Sequence, residues 1–168
     1  GDDRSQDGGE HREEDLGRKK VDRAAERAAA VNSAVEVIAR PVFLNRENAA
    51  ELLKGADVIV DALDRIDIRL ILEEAAGELD RPLVHGAIGG FLGEIATVLP
   101  GQSRFSNLYP AKEDREGGLE KVLGTPTPVP AVVAAFEVIE TIKLLLGKGR
   151  PFSEEILYLE LLDGYFSR

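Results

Sequence analysis

The segment Ala56-Asp57-Val58-Ile59-Val60-Asp61-Ala62-Leu63-Asp64 decides the fold of this chain. Its β-branched run ends at a carboxylate, and apolar residues with helical spacing follow from Ile66 to Leu79. A short β-branched run followed by a helix is typical of a buried parallel strand and its crossover. Asp64 would then lie at the carboxyl end of the strand, where open α/β sheets bind their ligands. Because carboxylates at such positions commonly hold a metal or a ribose, Asp64 indicates nucleotide chemistry.

Three elements are predicted upstream of this segment. Alanine-rich periodicity predicts a helix over Lys20–Val31, with Asp15 as its cap. Alternation of apolar and polar residues predicts a strand over 34–39, and a short helix over 47–54 should end at Gly55. Strands that alternate with helices in this way favour an α/β fold.

The elements predicted downstream are mostly strands. An apolar strand over 82–88 and a second strand over 94–99 flank a glycine-rich turn, and a long loop is expected over 100–127. Thr127 and Pro128 have the order of a cap followed by a first-turn proline, so a long helix should begin there and end at Gly147. A closing strand is predicted over 156–161.

The composition excludes several classes of function. A net charge of −10 over 168 residues argues against a nucleic-acid surface, which needs a basic face. The absence of cysteine excludes disulfides, thiolate zinc sites and cysteine nucleophiles. The longest apolar stretch, 129–146, is interrupted by Glu137, Glu140 and Lys143, so it predicts a helix in a protein without membrane spans. No signal peptide is recognisable, and we expect a cytoplasmic protein.

The first residues differ from the rest of the chain. Residues 1–15 contain no apolar side chain and carry seven acidic residues against two arginines. Such a segment cannot bury enough surface to offset the entropy of ordering it. We therefore expect a disordered acidic tail over 1–15 and one folded nucleotide-binding domain over 16–168. An interaction role for the tail is an open alternative.

Four segments, in their order and spacing, resemble the ThiF/MoeB/HesA family of adenylate-forming enzymes, which share their nucleotide domain with ubiquitin-activating enzymes. The segments are Leu16–Lys20 with the alanine-rich helix and Asn32, Val60–Arg69, Pro82–Thr97, and Leu123–Gly147. The second is similar to the family's DxxDNxxxR motif and the last to its LGxP…ExxKLLLG helix. The resemblance implies a Rossmann-like, mostly parallel sheet with an antiparallel C-terminal portion, in which the first βα unit is missing here.

The resemblance also implies an activity, which is ATP-dependent adenylylation of the C-terminal carboxylate of a ubiquitin-like sulfur-carrier protein. Lys20 matches the lysine that contacts the ATP phosphates, and Asp64 matches the aspartate that binds Mg²⁺. Arg69 is expected only to brace the loop. Attack of a carboxylate on the α-phosphorus brings negative charges together, so a lysine and an aspartate-held Mg²⁺ suit this reaction. Family members are commonly homodimers, and the helix over 128–146 could form the seam or simply pack in the core.

The sequence departs from the family pattern at several places. No G-x-G-x-x-G phosphate loop precedes Leu16, because Gly8-Gly9 does not make one. The two C-x-x-C pairs of zinc-containing members are absent, so no zinc is expected, and Arg65 replaces the usual asparagine. We therefore expect the adenylylation activity to be incomplete or impaired. The alternative is a non-catalytic ThiF-like module that retains partner binding or dimerisation.

Several candidate residues have a structural interpretation beside the functional one. Lys20 could be a solvated surface lysine, and Asp61 could pair with Asp64 or cap the turn after its strand. Leu44 either borders the adenine or packs in the core. His85 is either a core histidine or a catalytic base, and the first interpretation is favoured because His85 belongs to a strand predicted to be buried.

Overall fold

The computed structural model of this protein describes residues 19–103, 105, 124 and 126–168. The chain divides into two compact units, Gly1–Phe43 and Leu44–Arg168. The predicted acidic tail over 1–15 and most of the predicted loop over 100–127 lie outside the described residues.

The first unit contains helix α1 (Lys20–Val31) with the predicted bounds. Its N-cap is Lys19 rather than the predicted Asp15, which lies outside the described residues. Asn32 ends the helix, and its backbone N–H donates to the carbonyl of Ala28. No residue of α1 is buried, so its alanine-rich face is not part of a core within the described residues.

The strand predicted over 34–39 is wrong. These residues form neither helix nor strand, and most of them are exposed. An alternating apolar pattern becomes a strand only where a neighbouring strand accepts and donates its backbone hydrogen bonds. The described part of the first unit contains no such neighbour, which explains why the pattern failed here.

The second unit is built on a five-stranded sheet in the order β1-β2-β3-β4-β5. The strands are β1 (Ile59–Asp61), β2 (Leu83–Gly89), β3 (Leu92–Val98), β4 (Leu157–Glu160) and β5 (Tyr165–Ser167). β1 and β2 are parallel, and the three following pairs are antiparallel. The predicted α/β class, a Rossmann-like sheet with an antiparallel C-terminal portion, is confirmed. Within the described residues the parallel part of the predicted mostly parallel sheet is the pair of β1 with β2.

The helices of this unit are α2 (Ala49–Leu53), α3 (Ile66–Glu78) and α4 (Pro128–Leu146). α4 has the predicted proline in its first turn and ends at Gly147, whose φ of 59° is left-handed. All five predictions of elements from 47 to 99 agree with the structure to within a few residues, whereas β5 was not predicted. None of the helices in the described ranges is long and apolar enough to cross a membrane.

The sheet carries a core on each face. Side chains of successive strand residues alternate between faces, so Leu83 and His85 point one way while Gly86 and Ile95 belong to the other side. One cluster joins the sheet to α3 and contains Ile59, Leu72, Ala76, Leu83, Val98 and Phe105. The second joins it to α4 and contains Ile95, Val133, Phe152, Leu157 and Leu159. The unit is therefore a sheet between two helical layers.

α4 packs directly on the backbone of the sheet. A Cβ added at Gly86 would lie 2.6 Å from Cδ of Glu137, and one added at Gly93 would lie 2.6 Å from Cγ2 of Val133. Both distances are shorter than any ordinary contact, so these two glycines are needed for the close approach. The glycine-rich stretch after His85 thus serves the packing of α4 on the sheet.

Glu140 fastens α4 to the strands beneath it. Its carboxylate is fully buried and accepts hydrogen bonds from Thr97 Oγ1 at 2.8 Å and from the Phe152 N–H at 2.7 Å. Lys143, one turn further along, donates its ammonium to the same carboxylate. The charged pair of the ExxK motif is therefore a structural link, in which hydrogen bonds compensate for burying the carboxylate.

Candidate functional site

The candidate site is the loop between β1 and α3, which carries Asp64. β1 ends at Asp61, whose side chain is fully buried, and the loop then exposes Asp64 to solvent. Asp64 thus lies just beyond the carboxyl end of a parallel strand, as expected from the sequence. Its carboxylate is available to a ligand, whereas that of Asp61 is not.

Asp61 caps the turn that leads to Asp64. Its Oδ1 accepts a hydrogen bond from the Leu63 N–H at 2.9 Å, so the interpretation of Asp61 as a capping residue is confirmed. Its Oδ2 lies 2.7 Å from Nδ1 of His85 and 3.4 Å from Nε of Arg69. The carboxylate therefore joins the loop to β2 and α3 instead of pairing with Asp64 in a shared site.

Arg69 holds the same loop from α3. Its Nε donates to the carbonyl of Leu63 at 2.9 Å, and its Nη2 donates to the same oxygen. The side chain is 9% exposed, which strengthens these charge-assisted bonds because little water competes for them. The expectation that Arg69 braces the loop is confirmed.

His85 lies behind the loop, opposite Asp61 in the parallel register of β1 and β2. It is fully buried, its Nε2 lies 3.3 Å from Oε1 of Glu94, and its ring centroid lies 4.5 Å from that of Phe105. These contacts match the core interpretation of this residue rather than that of an accessible base. Asp61, Arg69, His85 and Glu94 together form what we call the buried ionic cluster.

The protonation of His85 follows from its two carboxylate neighbours. Burial, the largest single influence, disfavours the charged ring, but the hydrogen bonds with Asp61 and Glu94 outweigh it, so the pKa of His85 is raised. A neutral imidazole has only one N–H and would leave one of the two carboxylates facing a lone pair. The imidazolium donates to both, and it balances part of their charge.

Glu137 approaches this region from α4, on the other face of the sheet. Burial of its carboxyl, assisted by the negative charge of Asp61, raises the pKa of Glu137 to about 7. Within the described part of the chain its Oε1 is buried and has no hydrogen-bond partner. A neutral carboxylic acid tolerates such a position far better than a carboxylate.

Arg65, which stands where the family has asparagine, turns toward the start of α3. Its guanidinium donates to both carboxylate oxygens of Asp67. This hydrogen bond is the main reason why the pKa of Asp67 is lowered. Both residues are exposed, so the pair contributes little to stability.

The other two predicted site residues lie elsewhere in the chain. Lys20 is the exposed first residue of α1 in the first unit, whereas Asp64 belongs to the second. Leu44 is half-buried and packs against the core cluster that contains Leu72 and Phe105. Core packing is therefore the role that the structure gives to Leu44, and the prediction that it borders an adenine stays untested.

The donor set around Asp64 fits only one kind of metal binding. No group of three or more histidine or acidic residues able to hold a metal occurs in the described ranges. Mg²⁺ in nucleotide sites takes one or two carboxylates and completes its octahedron with phosphate oxygens and water. The single exposed carboxylate of Asp64 fits that pattern, and it fits no protein-only metal cage.

Comparison with known families matches residues 9–168 to the ThiF family. The chain belongs to the ThiF family. The chain is 36% identical over 163 residues to a sulfur carrier protein adenylyltransferase of Thermus thermophilus, covering 92% of this chain and 60% of that protein. It is 33% identical over 138 residues to the sulfur carrier protein ThiS adenylyltransferase of Bacillus subtilis, covering 80% of this chain and 41% of that protein.

A solved structure shows the same fold. The crystal structure of Escherichia coli MccB with ATP matches with a TM-score of 0.74 at 16% identity, covering 94% of this chain and 50% of that chain. The ThiF-family chain described here thus spans about 60% or less of the length of the proteins that it matches. Identity this low supports the fold alone.

Sequence reasoning predicted the position of Asp64 and the loop-bracing role of Arg69 but missed the ionic cluster that joins the loop to β2. The ligand-binding role of Asp64 stays a prediction. Glu94 and Glu137 carried no recognisable signal. The contact of Glu94 with His85 depends on the register of β2 and β3, and Glu137 reaches the region from a helix that is distant in sequence. The pairing of Asp61 with His85 could have been found from the register, since each follows an apolar run by the same interval in adjacent parallel strands.

Proposed function

We propose that this ThiF-family chain takes part in the ATP-dependent adenylylation of the C-terminal carboxylate of a ubiquitin-like sulfur-carrier protein. The observation that carries the proposal is the position of Asp64, exposed on a braced loop beyond the carboxyl end of β1. The names of two relatives, which are adenylyltransferases of sulfur carrier proteins, support it.

In this proposal Asp64 supplies a carboxylate oxygen to Mg²⁺, and Lys20 supplies an ammonium to the phosphates. A carrier carboxylate oxygen forms a bond to the α-phosphorus while the bond from that phosphorus to the pyrophosphate oxygen breaks. Mg²⁺, when bound, neutralises charge on the phosphate oxygens. Lys20 would stabilise the charge gained by the leaving pyrophosphate, which is how fixed cations lower the barrier of such reactions.

The test is pyrophosphate release from ATP and Mg²⁺ in the presence of a ubiquitin-like carrier that ends in glycine. Asp64→Asn should lower the rate by about 100-fold or more, the size of effect seen when one transition-state electrostatic contact is removed. The matched control is Asp57→Asn, since Asp57 is an exposed carboxylate just before the same strand. Equal rates in the two variants would remove Asp64 from the site.

A second candidate function is a dimerisation or partner-binding module without catalysis. It is favoured by the apolar side chains that α4 exposes, namely Val138, Ile139, Ile142, Leu145 and Leu146. Such a patch on one helix is typical of an interaction surface. A folded wild-type chain that releases no pyrophosphate with any carrier, but sediments as a homodimer that Ile142→Glu dissociates, would establish the module and reject the enzyme.

A further inference from the structure

Both backbone polar groups of Leu63, the residue before Asp64, are bound by charged side chains. The N–H donates to Oδ1 of Asp61, and the carbonyl accepts from Nε of Arg69. The first bond fixes the peptide between Ala62 and Leu63, and the second fixes the peptide between Leu63 and Asp64, so the backbone is held on both sides of Leu63. The direction in which Asp64 leaves the backbone is therefore set by Asp61 and Arg69.

Asp61 is itself held by His85. One carboxylate oxygen of Asp61 accepts from Leu63. A contact to the other oxygen is needed to keep the carboxylate from rotating. That second oxygen lies 2.7 Å from Nδ1 of His85, which is fully buried and packed against Phe105. Arg69 lies 3.4 Å from the same oxygen, but its Nε is shared with the Leu63 carbonyl.

We propose that His85 is a positioning residue, which fixes the Asp64 carboxylate for its ligand by holding Asp61 and, through Asp61, the Leu63 backbone. The inference rests on the proposed function for the identity of the ligand. The coupling from His85 to the loop stands on the hydrogen bonds alone. No part of it requires His85 to touch the nucleotide or the carrier.

The charges around His85 explain why a histidine suits this position. Asp61 faces it from β1 and Glu94 from β3, while Arg69 of α3 adds a positive charge near Asp61. Glu137 of α4 faces the same region across the sheet. An imidazolium bonds both carboxylates at once, whereas a side chain with a single donor position can satisfy only one of them.

Two amide variants separate the contacts of the ring. The amide nitrogen of asparagine occupies the place of Nδ1, so His85→Asn keeps a donor for Asp61. The amide nitrogen of glutamine occupies the place of Nε2, so His85→Gln keeps a donor for Glu94 and loses the one for Asp61. A general loss of packing would affect both variants, whereas positioning through Asp61 affects mainly His85→Gln.

The experiment measures amide hydrogen exchange of residues 62–65 in the full chain, together with the dependence of pyrophosphate release on Mg²⁺. In His85→Gln we expect the Leu63 amide to exchange about tenfold faster, the effect of one charge-assisted hydrogen bond. In the same variant, the concentration of Mg²⁺ that gives the half-maximal rate of pyrophosphate release should rise by a larger factor than the factor by which the maximal rate falls. His85→Asn should recover most of both, and exchange at Ile95 should stay unchanged in both variants.

The outcomes distinguish this inference from the proposed function. Equal Leu63 exchange in the two variants and the wild type would overturn the inference even if the chain is active. If Leu63 exchanges faster in His85→Gln than in the wild type, but the wild type releases no pyrophosphate, the coupling is supported and the proposed function is rejected. If His85→Gln does not fold, the wild type decides: exchange of the His85 Nδ1–H that follows Leu63 amide exchange across a urea series supports the coupling, and independent exchange of the two protons overturns it.

Discussion

Asp61 and His85 lie opposite each other in the parallel register of β1 and β2, and their side chains meet at 2.7 Å with no exposure to solvent. A buried pair of this kind costs free energy unless further partners compensate for desolvation. Leu63 and Arg69 compensate on the Asp61 side, and Glu94 does so on the His85 side. The register of the sheet thus determines the geometry of the candidate site.

The raised pKa of His85 predicts a loss of stability at alkaline pH. The folded state holds the His85 proton more tightly than the unfolded state, so the stabilisation is complete below its ordinary pKa of 6.5. It is lost as the pH rises through the raised value. Urea unfolding between pH 6 and pH 9 should show this fall for the wild type and a smaller fall for His85→Asn, which keeps only the loss caused by Glu137. Parallel profiles would contradict the protonated cluster.

Glu137→Gln should stabilise the protein at pH 8. The pKa of Glu137 is raised from 4.5 to about 7, so this group costs stability as the pH rises through that interval. The neutral amide avoids the cost, and we expect a gain of about 1–2 kcal/mol at pH 8, since partial contact with water screens the effect. At pH 4 the two proteins should be equally stable.

The measurement for Glu137 is the free energy of unfolding by urea at pH 4, 6 and 8. Glu78→Gln, which changes an exposed carboxyl on α3, is the matched control and should show no gain between these pH values. A Glu137→Gln variant that is less stable than the wild type at pH 8 would mean that the Glu137 carboxylate has a favourable partner.

The elements that the sequence predicted well are those whose signals are local. β1, α3 and α4 were found because β-branched runs, helical spacing and end signals such as Pro128 and Gly147 lie within the elements themselves. The strand over 34–39 failed because strand formation also needs a partner, which the pattern does not show. β5 was missed although Asp163-Gly164, with Gly164 at a φ of 79°, is a recognisable hairpin signal before it.

The candidate site could be predicted only in part for the same reason. Asp64 and Asp61 follow one apolar run, so their place at the end of β1 was readable from the sequence. His85 is 24 residues from Asp61, and Glu94 belongs to a third strand, so their contacts depend on register and on which side chains share a face. Glu140 was read as an interruption of an apolar run, whereas it is the buried link between α4 and β3.

Glu140→Gln should destabilise the protein by about 2–4 kcal/mol, because an amide cannot accept from all the donors that surround this buried carboxylate. The Thr97 hydroxyl and the Phe152 N–H already share Oε2, so the amide nitrogen would take the place of Oε1 and leave the Lys143 ammonium facing a donor. Thermal and urea unfolding measure the loss. The same substitution at Glu154, in an exposed ion pair with Arg150, should cost about 0–1 kcal/mol. Equal costs would mean that Glu140 does not fasten α4.

Gly86→Ala should destabilise the protein by about 1–3 kcal/mol, because the added methyl enters an occupied space. Its Cβ would lie 2.6 Å from Cδ of Glu137 and 2.7 Å from Cγ1 of Val133, so α4 or β2 must move. Gly77→Ala is the matched control, since a Cβ there meets nothing within 4 Å in the last turn of α3. Alanine should stabilise that helix end by up to about 0.5 kcal/mol, less than in a helix interior. Unfolding free energies that change in the same direction for both variants would contradict the direct packing of α4 on the sheet backbone. Opposite signs would confirm it, and a larger Leu63 exchange rate in Gly86→Ala would show that the strain reaches the Asp64 loop through His85.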